Sequence, residues 1–262
     1  MPMFTKNIYE ADMAKYYDVM HKYRNYGMEC QFADKLIQRC FPNAKRVLDI
    51  CCGTGEHAIK MAQLGYEVTG VDSSRDMIQL AIKKAKKVGV SVEFKCTDVH
   101  DLNIVPEFQA AYCLGYTFNY MTTYPDVVKF FDIIRKALAP NGVLLVDFIN
   151  GWGLIESIPR DKFVHQHEDA TIFHFEQASL DKKKRVRHIE FYYLIDRHDG
   201  RVKTVFTEED LRIFFEDEVQ MLLSNCGFKH VESFGNYTLD TTASDVSDIV
   251  IVTGRKESKN LE

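Results

Sequence analysis

Between residues 46 and 149, strand-like apolar runs alternate with segments of helical period. RVLDIC (46–51) is a short β-rich run, and EHAIKMAQLG after it spaces its apolar residues for a helix that Gly65 stops. YEVTGVD (66–72) reads as a second strand. RDMIQLAIKKAKKVG is the next helix, with Ser73 and Asp76 as a capping box and lysines near the end that the helix dipole favours. VSVEFKCTD (90–98) and QAAYCLGYT (109–117) are the third and fourth strands. A helix from about Pro125 to Ala139 carries Val127, Val128, Phe131, Ile134 and Leu138 on one apolar face. Pro140-Asn141-Gly142 stops it, and GVLLVDFI forms a fully buried fifth strand. Such alternation predicts an α/β fold, a parallel sheet with helices on both faces.

After Asn150 the rhythm changes. ATIFHFEQASLD, KRVRHIEFYYLIDRH and RVKTVFT are strand-like, and Asp199-Gly200 is a hairpin signal. They predict an antiparallel β insertion after strand five, about 151–213, laid over the open edge of the sheet. EDEVQMLLSNCGF restores a helix, HVESFGNYT and DIVIVTGRK close the chain as an antiparallel strand pair, and the tail ESKNLE is expected to fray. The chain divides accordingly into 1–150, 151–213 and 214–262.

Composition narrows the function classes. A formal net charge of -5 argues against a nucleic-acid partner, whose phosphates need clustered Lys and Arg. Asp181-Lys182-Lys183-Lys184-Arg185 is basic, but in an acidic protein it reads as a solvated hairpin tip. No apolar run has the length of a membrane span, and MPMFTKNIYEADM lacks the apolar core of a signal peptide, so a cytoplasmic location is expected. Cys30, Cys40, Cys51, Cys52, Cys96, Cys113 and Cys226 form no C-x-x-C pair or zinc spacing, so no metal is expected and a reducing compartment fits.

The chemistry concentrates in LDICCGTGEH (48–57). Gly53-Thr54-Gly55-Glu56-His57-Ala58 satisfies G-x-G-x-x-A, with Asp72 at the end of the next strand, which alone allows a nicotinamide dinucleotide. Three features point elsewhere. Asp49 precedes the loop, where a pyrophosphate gains nothing from a carboxylate but a cationic ligand does. Asp98 ends the third strand, where it can accept an adenine amino hydrogen beside Val99. The chain then finishes helix–strand–strand, without a second mononucleotide half.

On these residues the sequence resembles the class I S-adenosylmethionine-dependent methyltransferases. VLDICCGTGEHAIKMAQLGYEVTGVDSSRDMIQLA matches the family's first two motifs, KCTDVHDL the third, and AYCLGYTFNYM the loop after strand four. ALAPNGVLLVDF matches its proline turn and fifth strand. The resemblance implies a Rossmann-like, seven-stranded, mostly parallel sheet and S-adenosylmethionine as cofactor, leaving as S-adenosylhomocysteine. It implies that Gly53 and Gly55 contact the methionine part, that Asp49 holds the loop and favours positive charge, and that Asp72 binds the ribose. Ser73 and Met77 would lie beside the adenosine, Asp98 and Val99 at the adenine edge, and Leu114 would offer its carbonyl to the methionine amino group. Cys51-Cys52 depart from the glycine and small or aromatic residue of many relatives, which tightens the loop.

The segment AKYYDVMHKYRNYGMECQFADKLI resembles the cap of small-molecule N-methyltransferases, particularly sugar-amine and glycine-type enzymes. That implies a small-molecule acceptor, most readily an amine, with Tyr17, Tyr26, Tyr116 and Asn119 lining its site. His165 and His167 are further candidates from the insertion, although alternating strand residues more often lie at a surface. An O-methyltransferase, a nucleic-acid methyltransferase and a non-catalytic binding module stay open at this point, as does a homodimer.

Overall fold

The computed structural model describes residues 11–102, 105, 107–156, 162–240, 242–243 and 247–257. Helices α1 (Ala11–Met20) and α2 (Tyr26–Cys40) precede β1 (Arg46–Ile50), and α3 (Glu56–Gln63), β2 (Glu67–Asp72), α4 (Arg75–Val88) and β3 (Glu93–Cys96) follow. Next come β4 (Phe108–Cys113), α5 (Tyr124–Ala137) and β5 (Leu138–Ile149). After α6 (Gly151–Glu156), four strands form the insertion: β6 (Lys162–His167), β7 (Ala170–Asp181), β8 (Val186–Arg197) and β9 (Val202–Arg212). The chain returns through α7 (Glu216–Asn225), β10 (Phe228–Gly235) and β11 (Ile249–Lys256).

The seven-stranded sheet has the order β10-β11-β5-β4-β1-β2-β3. β1 pairs in parallel with β2 and β4, β2 with β3, and β4 with β5, whereas β11 runs antiparallel to both β5 and β10. Alternate side chains of these doubly covered strands feed two cores. Leu48 and Ile50 join Phe118, Phe130, Phe131, Phe148, Phe214 and Phe228 beneath α5 and α7. Val47, Ala110, Tyr112, Val143 and Ile251 pack beneath α2 and α3.

Several expectations need correction. The cap of α4 is Ser74, whose hydroxyl accepts from the Met77 N–H, so the Ser73–Asp76 box is one residue out of phase. α5 begins after Thr123, which caps it through the Asp126 N–H. Val128 is half exposed and Phe130 takes its place in the buried face. Pro140-Asn141-Gly142 lies inside β5 rather than ahead of it: Asn141 turns the backbone at φ 62°, and the β4–β5 register shifts between Phe108 and Ala110. The tail from residue 258 lies outside the described residues.

The insertion is a separate antiparallel sheet, β6-β7-β8-β9, with one strand more than the three apolar runs suggested. It does not lie over an edge of the large sheet. Its contacts run to α1 and to the short turn 117–120 after β4, at the carboxyl ends of the parallel strands. Met13, Tyr16 and Met20 of α1 share one core with Ala170, Ile172, Tyr193, Ile195 and Val205. The tip Lys182–Arg185 is a surface turn, with Asp181 accepting from the Lys183 and Lys184 N–H groups.

Asn119 was expected at the acceptor site. It is instead fully buried: its amide donates to the Arg212 carbonyl and accepts from the Ile149 N–H, fastening turn 117–120 to β5 and β9. The neighbouring Phe118 stacks against Phe131 at 5.5 Å and lies 4.7 Å from Phe214. Phe118→Ala removes the ring that joins those groups and should cost about 3–5 kcal/mol of stability, read as a lowered urea midpoint.

Candidate active site

The sheet order reverses between β1 and β4, whose following segments leave in opposite directions and open a crevice at their carboxyl ends. The glycine loop lines it. Cys51 adopts φ 57° and Gly53 and Gly55 adopt 53° and 80°, so the backbone turns sharply between β1 and α3. Cys51 bears a side chain where glycine is favoured, and its thiol bonds that of buried Cys113, which this contact and burial push up. Among the described residues all cysteines are free thiols.

The two loop glycines serve different purposes. A Cβ on Gly55 would meet the Ala81 Cβ at 2.9 Å and the Phe94 ring at 3.0 Å, so Gly55 lets α4 and β3 approach. A Cβ on Gly53 meets nothing within 4 Å, which leaves open space above the loop.

Acidic groups ring this space. Asp49 is 1% exposed and its Oδ2 has no hydrogen-bond partner. Burial, then the charge of Asp72, pushes its carboxyl well up, against a bond from the Ala58 N–H. Asp72 accepts from the Gly53 and Ser74 N–H groups, both at 2.8 Å. A carboxylate has about four acceptor positions, so the fixed side chain can still take ribose hydroxyls. Asp98 caps a short turn through the His100 N–H and keeps half its side chain exposed. Val99 and Met77 are buried, Leu114 is buried at the end of β4, and Ser73 is exposed beside the Cys96 thiol.

These features fit S-adenosylmethionine. The orphaned Asp49 oxygen suits a cationic ligand, the room above Gly53 admits its chain, and Asp72 and Asp98 offer acceptors at successive strand ends.

The cap adds residues that sequence reasoning missed. Arg24 forks onto Glu29 at 3.2 and 2.5 Å, and Glu29 also bonds His57 Nε2 at 2.7 Å. The guanidinium lies 5.0 Å from the Tyr26 ring and 4.7 Å from the Tyr116 ring. Tyr116, at φ 66°, is fixed by Asp147 of β5, which accepts from the Gly115 and Tyr116 N–H groups and from the Tyr237 hydroxyl. Burial opposes a charge on Arg24, but Asp147 and Glu29 outweigh it and hold the side chain protonated. Only Asp147 left a trace in the sequence, as the one carboxylate inside GVLLVDFI.

Tyr17 stacks on His21 at 4.0 Å. The next residue, Asp18, accepts from Thr54 at 2.5 Å and from Lys84 at 2.7 Å, and Lys84 also meets Glu56 at 2.6 Å. This clasp ties α1 to the glycine loop and α4. On the insertion, one nitrogen of His165 bonds the Val19 backbone, whereas His167 pairs with Asp169, which also holds Lys15. His174 stacks on Tyr193 at 4.7 Å, and burial, then His165 and His21, lowers it to about 4. The structure thus brings Tyr17, Tyr26 and Tyr116 to the crevice, puts Asn119 in the core, and leaves His167 in a peripheral ion cluster. Among the described residues no group of three ligating side chains could hold a metal, and no helix is long and apolar enough to cross a membrane.

Sheet order, crevice and acidic strand ends define a Rossmann-like domain for an adenosyl ligand. Residues 47–142 match a family model described as a methyltransferase domain. A dTDP-4-amino-2,3,4,6-tetradeoxy-D-glucose N,N-dimethyltransferase of Saccharopolyspora spinosa is 24% identical, over 86% of this chain and 88% of its own. A glycine/sarcosine N-methyltransferase of Halorhodospira halochloris is also 24% identical, over 82% and 76% respectively. An amino pentose methyltransferase from Micromonospora echinaspora, solved with S-adenosylmethionine bound, superimposes with a TM-score of 0.72 at 20% identity, covering 96% of this chain and all of that one. The matched domain and these relatives together support a class I S-adenosylmethionine-dependent methyltransferase.

Two expectations follow. Gly53→Ala places a methyl group in the open space, and Asp72→Ala removes the carboxylate that the Gly53 and Ser74 N–H groups hold at the end of β2. Calorimetry should show each weakening S-adenosylmethionine binding by about 1–3 kcal/mol while the protein stays folded. The second concerns pH. An unfolded chain protonates His174 near 6.5 while the folded chain holds out to about 4, so acidification through that window favours unfolding. The cost is on the order of 2–3 kcal/mol. Asp49 and Asp147, pushed up by burial, act in the opposite sense. The readout is therefore the difference: His174→Phe should lose less stability than wild type between pH 6.5 and 4.

Proposed function

We propose that the protein transfers a methyl group to the nitrogen of a small-molecule amine. The observation that carries this reading is the protonation state of the groups around the crevice. Burial pushes the phenols of Tyr17, Tyr26 and Tyr116 up, so they stay protonated. Burial likewise pushes up the thiols of Cys30, Cys52 and, with its Cys51 bond, Cys113. It lowers His21 and His174, so these rings stay neutral. Among these described groups none is a thiolate or phenolate nucleophile.

A bound S-adenosylmethionine supplies a sulfonium methyl group that a lone pair can take by in-line displacement, the S–CH₃ electron pair staying on sulfur. The chain itself must orient the acceptor, exclude water and accept a proton. Tyr17, Tyr26 and Tyr116 suit the first task, offering hydroxyls that donate to or accept from an amine. α1 and the insertion suit the second, clasped over the crevice by Asp18, Lys84 and Glu56. An amine brings its own lone pair. A hydroxyl acceptor would need a base to generate an alkoxide, and imidazoles whose proton affinity burial lowers are weak ones.

A labelled-methyl screen across amine and hydroxyl metabolites tests this. N-methylated products should form with turnover lost on omitting the donor, and a product methylated only on oxygen would overturn the nitrogen assignment.

A further inference from the structure

The inner face of the insertion carries polar groups that the donor site does not use. Across β7, β8 and β9 the register places His174, Tyr193 and Val205 in one row, Glu176, Phe191 and Thr207 in the next, and Ala178, Ile189 and Glu209 in the third. Thr207 is 2% exposed, and its hydroxyl has no hydrogen-bond partner. His174 Nε2 is also buried without a hydrogen-bond partner, as is His165 Nε2 on β6. Buried polar atoms are almost always satisfied, so three on one face call for a ligand that brings donors and acceptors of its own.

The charges on this face are specific as well. Glu176 Oε2 lies 4.0 Å from His174 Nε2, with its side chain 18% exposed. Glu209 accepts from the Tyr120 hydroxyl at 2.6 Å, which holds it against the turn after β4 at the mouth of the crevice. The charges of both reach the Tyr193 hydroxyl, and that of Glu209 also reaches Tyr17. By register the same face also carries Arg197 and Lys203 beyond the His174 row, and Arg187, whose charge meets that of Glu176, donates to the Leu154 carbonyl of α6. Beside the Tyr193 hydroxyl it is the charges of Glu209 and Glu176 that act, and with the tyrosine rings they make an environment for a cation.

We infer that Glu176 and Glu209 hold the acceptor's ammonium group, with His165, His174 and Thr207 hydrogen-bonding its neighbouring polar groups against Tyr193. This rests on the amine reading above and narrows it: the acceptor is an amine with adjacent hydrogen-bonding groups and no carboxylate. A carboxylate beside the nitrogen, as in an α-amino acid, would meet Glu176 and Glu209 with like charge. One of the two carboxylates takes a proton from the ammonium, which frees the nitrogen lone pair for the methyl group.

Methylammonium tests the cation site, because no steric mismatch can keep so small an amine out. The full chain saturated with S-adenosylhomocysteine is titrated with methylammonium, with sarcosine and, at matched ionic strength, with formate. Binding is followed by NMR shifts of labelled tyrosine. Methylammonium should bind at least tenfold more tightly than sarcosine, and formate should not bind. Glu209→Gln, which keeps an acceptor for Tyr120, and Glu176→Gln should each weaken methylammonium binding at least tenfold. S-adenosylhomocysteine affinity should stay within twofold. If Glu209→Gln alone disturbs that affinity, Glu176→Gln on β7 reads the same cation binding. The inference is overturned if wild type does not bind methylammonium, if both glutamine variants bind it as wild type does, or if sarcosine binds as tightly. Those outcomes leave N-methylation itself to the labelled-methyl screen, so the two readings fail separately.

Discussion

The buried guanidinium of Arg24 is the point on which the active-site geometry turns. A charge removed from water must be paired on every side, and stranding one costs about 3–5 kcal/mol. Glu29 takes the guanidinium fork, Tyr26 and Tyr116 sandwich its plane, and Asp147 supplies the further negative charge. The partners come from three parts of the fold, Tyr26 and Glu29 sharing α2. Glu29 rides on α2, Tyr116 follows β4, and Asp147 sits within β5. Satisfying one cation therefore sets the cap against the strand ends to within hydrogen-bond tolerance. Gly115 follows from the same constraint, since a Cβ there would lie 2.7 Å from the arginine.

The cap is held from two other directions by weaker forces. Its apolar side, Met13, Tyr16 and Met20, belongs to the core of the insertion rather than to either core of the large sheet. Its polar side reaches the glycine loop through Asp18, Thr54 and Lys84. Exposed ion pairs are worth roughly 0–1 kcal/mol each, and Asp18 is 42% exposed in its pair with Lys84. Cap and insertion thus form one body, bound to each other by apolar packing and to the donor loop by contacts that can exchange with water.

Much of the donor side was legible in the sequence because it depends on local features. Asp49, Asp72 and Asp98 each end or nearly end an apolar run, and strand period alone puts such residues along one end of a parallel sheet. The glycines between β1 and α3 are equally local. Arg24, Asp147 and Tyr237 are not, because strand order brings positions from three regions together and no spacing announces it. Asn119 misled for an opposite reason. A polar residue in an aromatic loop looks ligand-facing, yet its amide matches an orphan carbonyl at Arg212 and an orphan N–H at Ile149. Ser73 and Ser74 are chemically equal capping candidates, and only the start of the helix decides between them. In the insertion the alternation was readable but its inward face was not, since Phe175 and Tyr192 outside are as apolar as Phe191 and Tyr193 inside.

The same contrast explains why the donor is easier to identify than the acceptor. The candidate donor site is built largely from backbone: N–H groups that position Asp72, a left-handed turn, and space kept open by the absence of a side chain at Gly53. Such features tolerate few residue types, so they leave a motif. The proposed acceptor face is a pleated sheet on which every second side chain is available, and a sheet keeps its fold while those side chains change, provided the core row survives. Val205 and Tyr193 belong to that core row through their contacts with α1. His174 shares that row and stacks on Tyr193, whereas Glu176, Thr207 and Glu209 lie in the next two rows, outside that apolar core. Polar residues that a fold does not require, at positions where burial makes them costly, are best explained by what they meet when the site is filled.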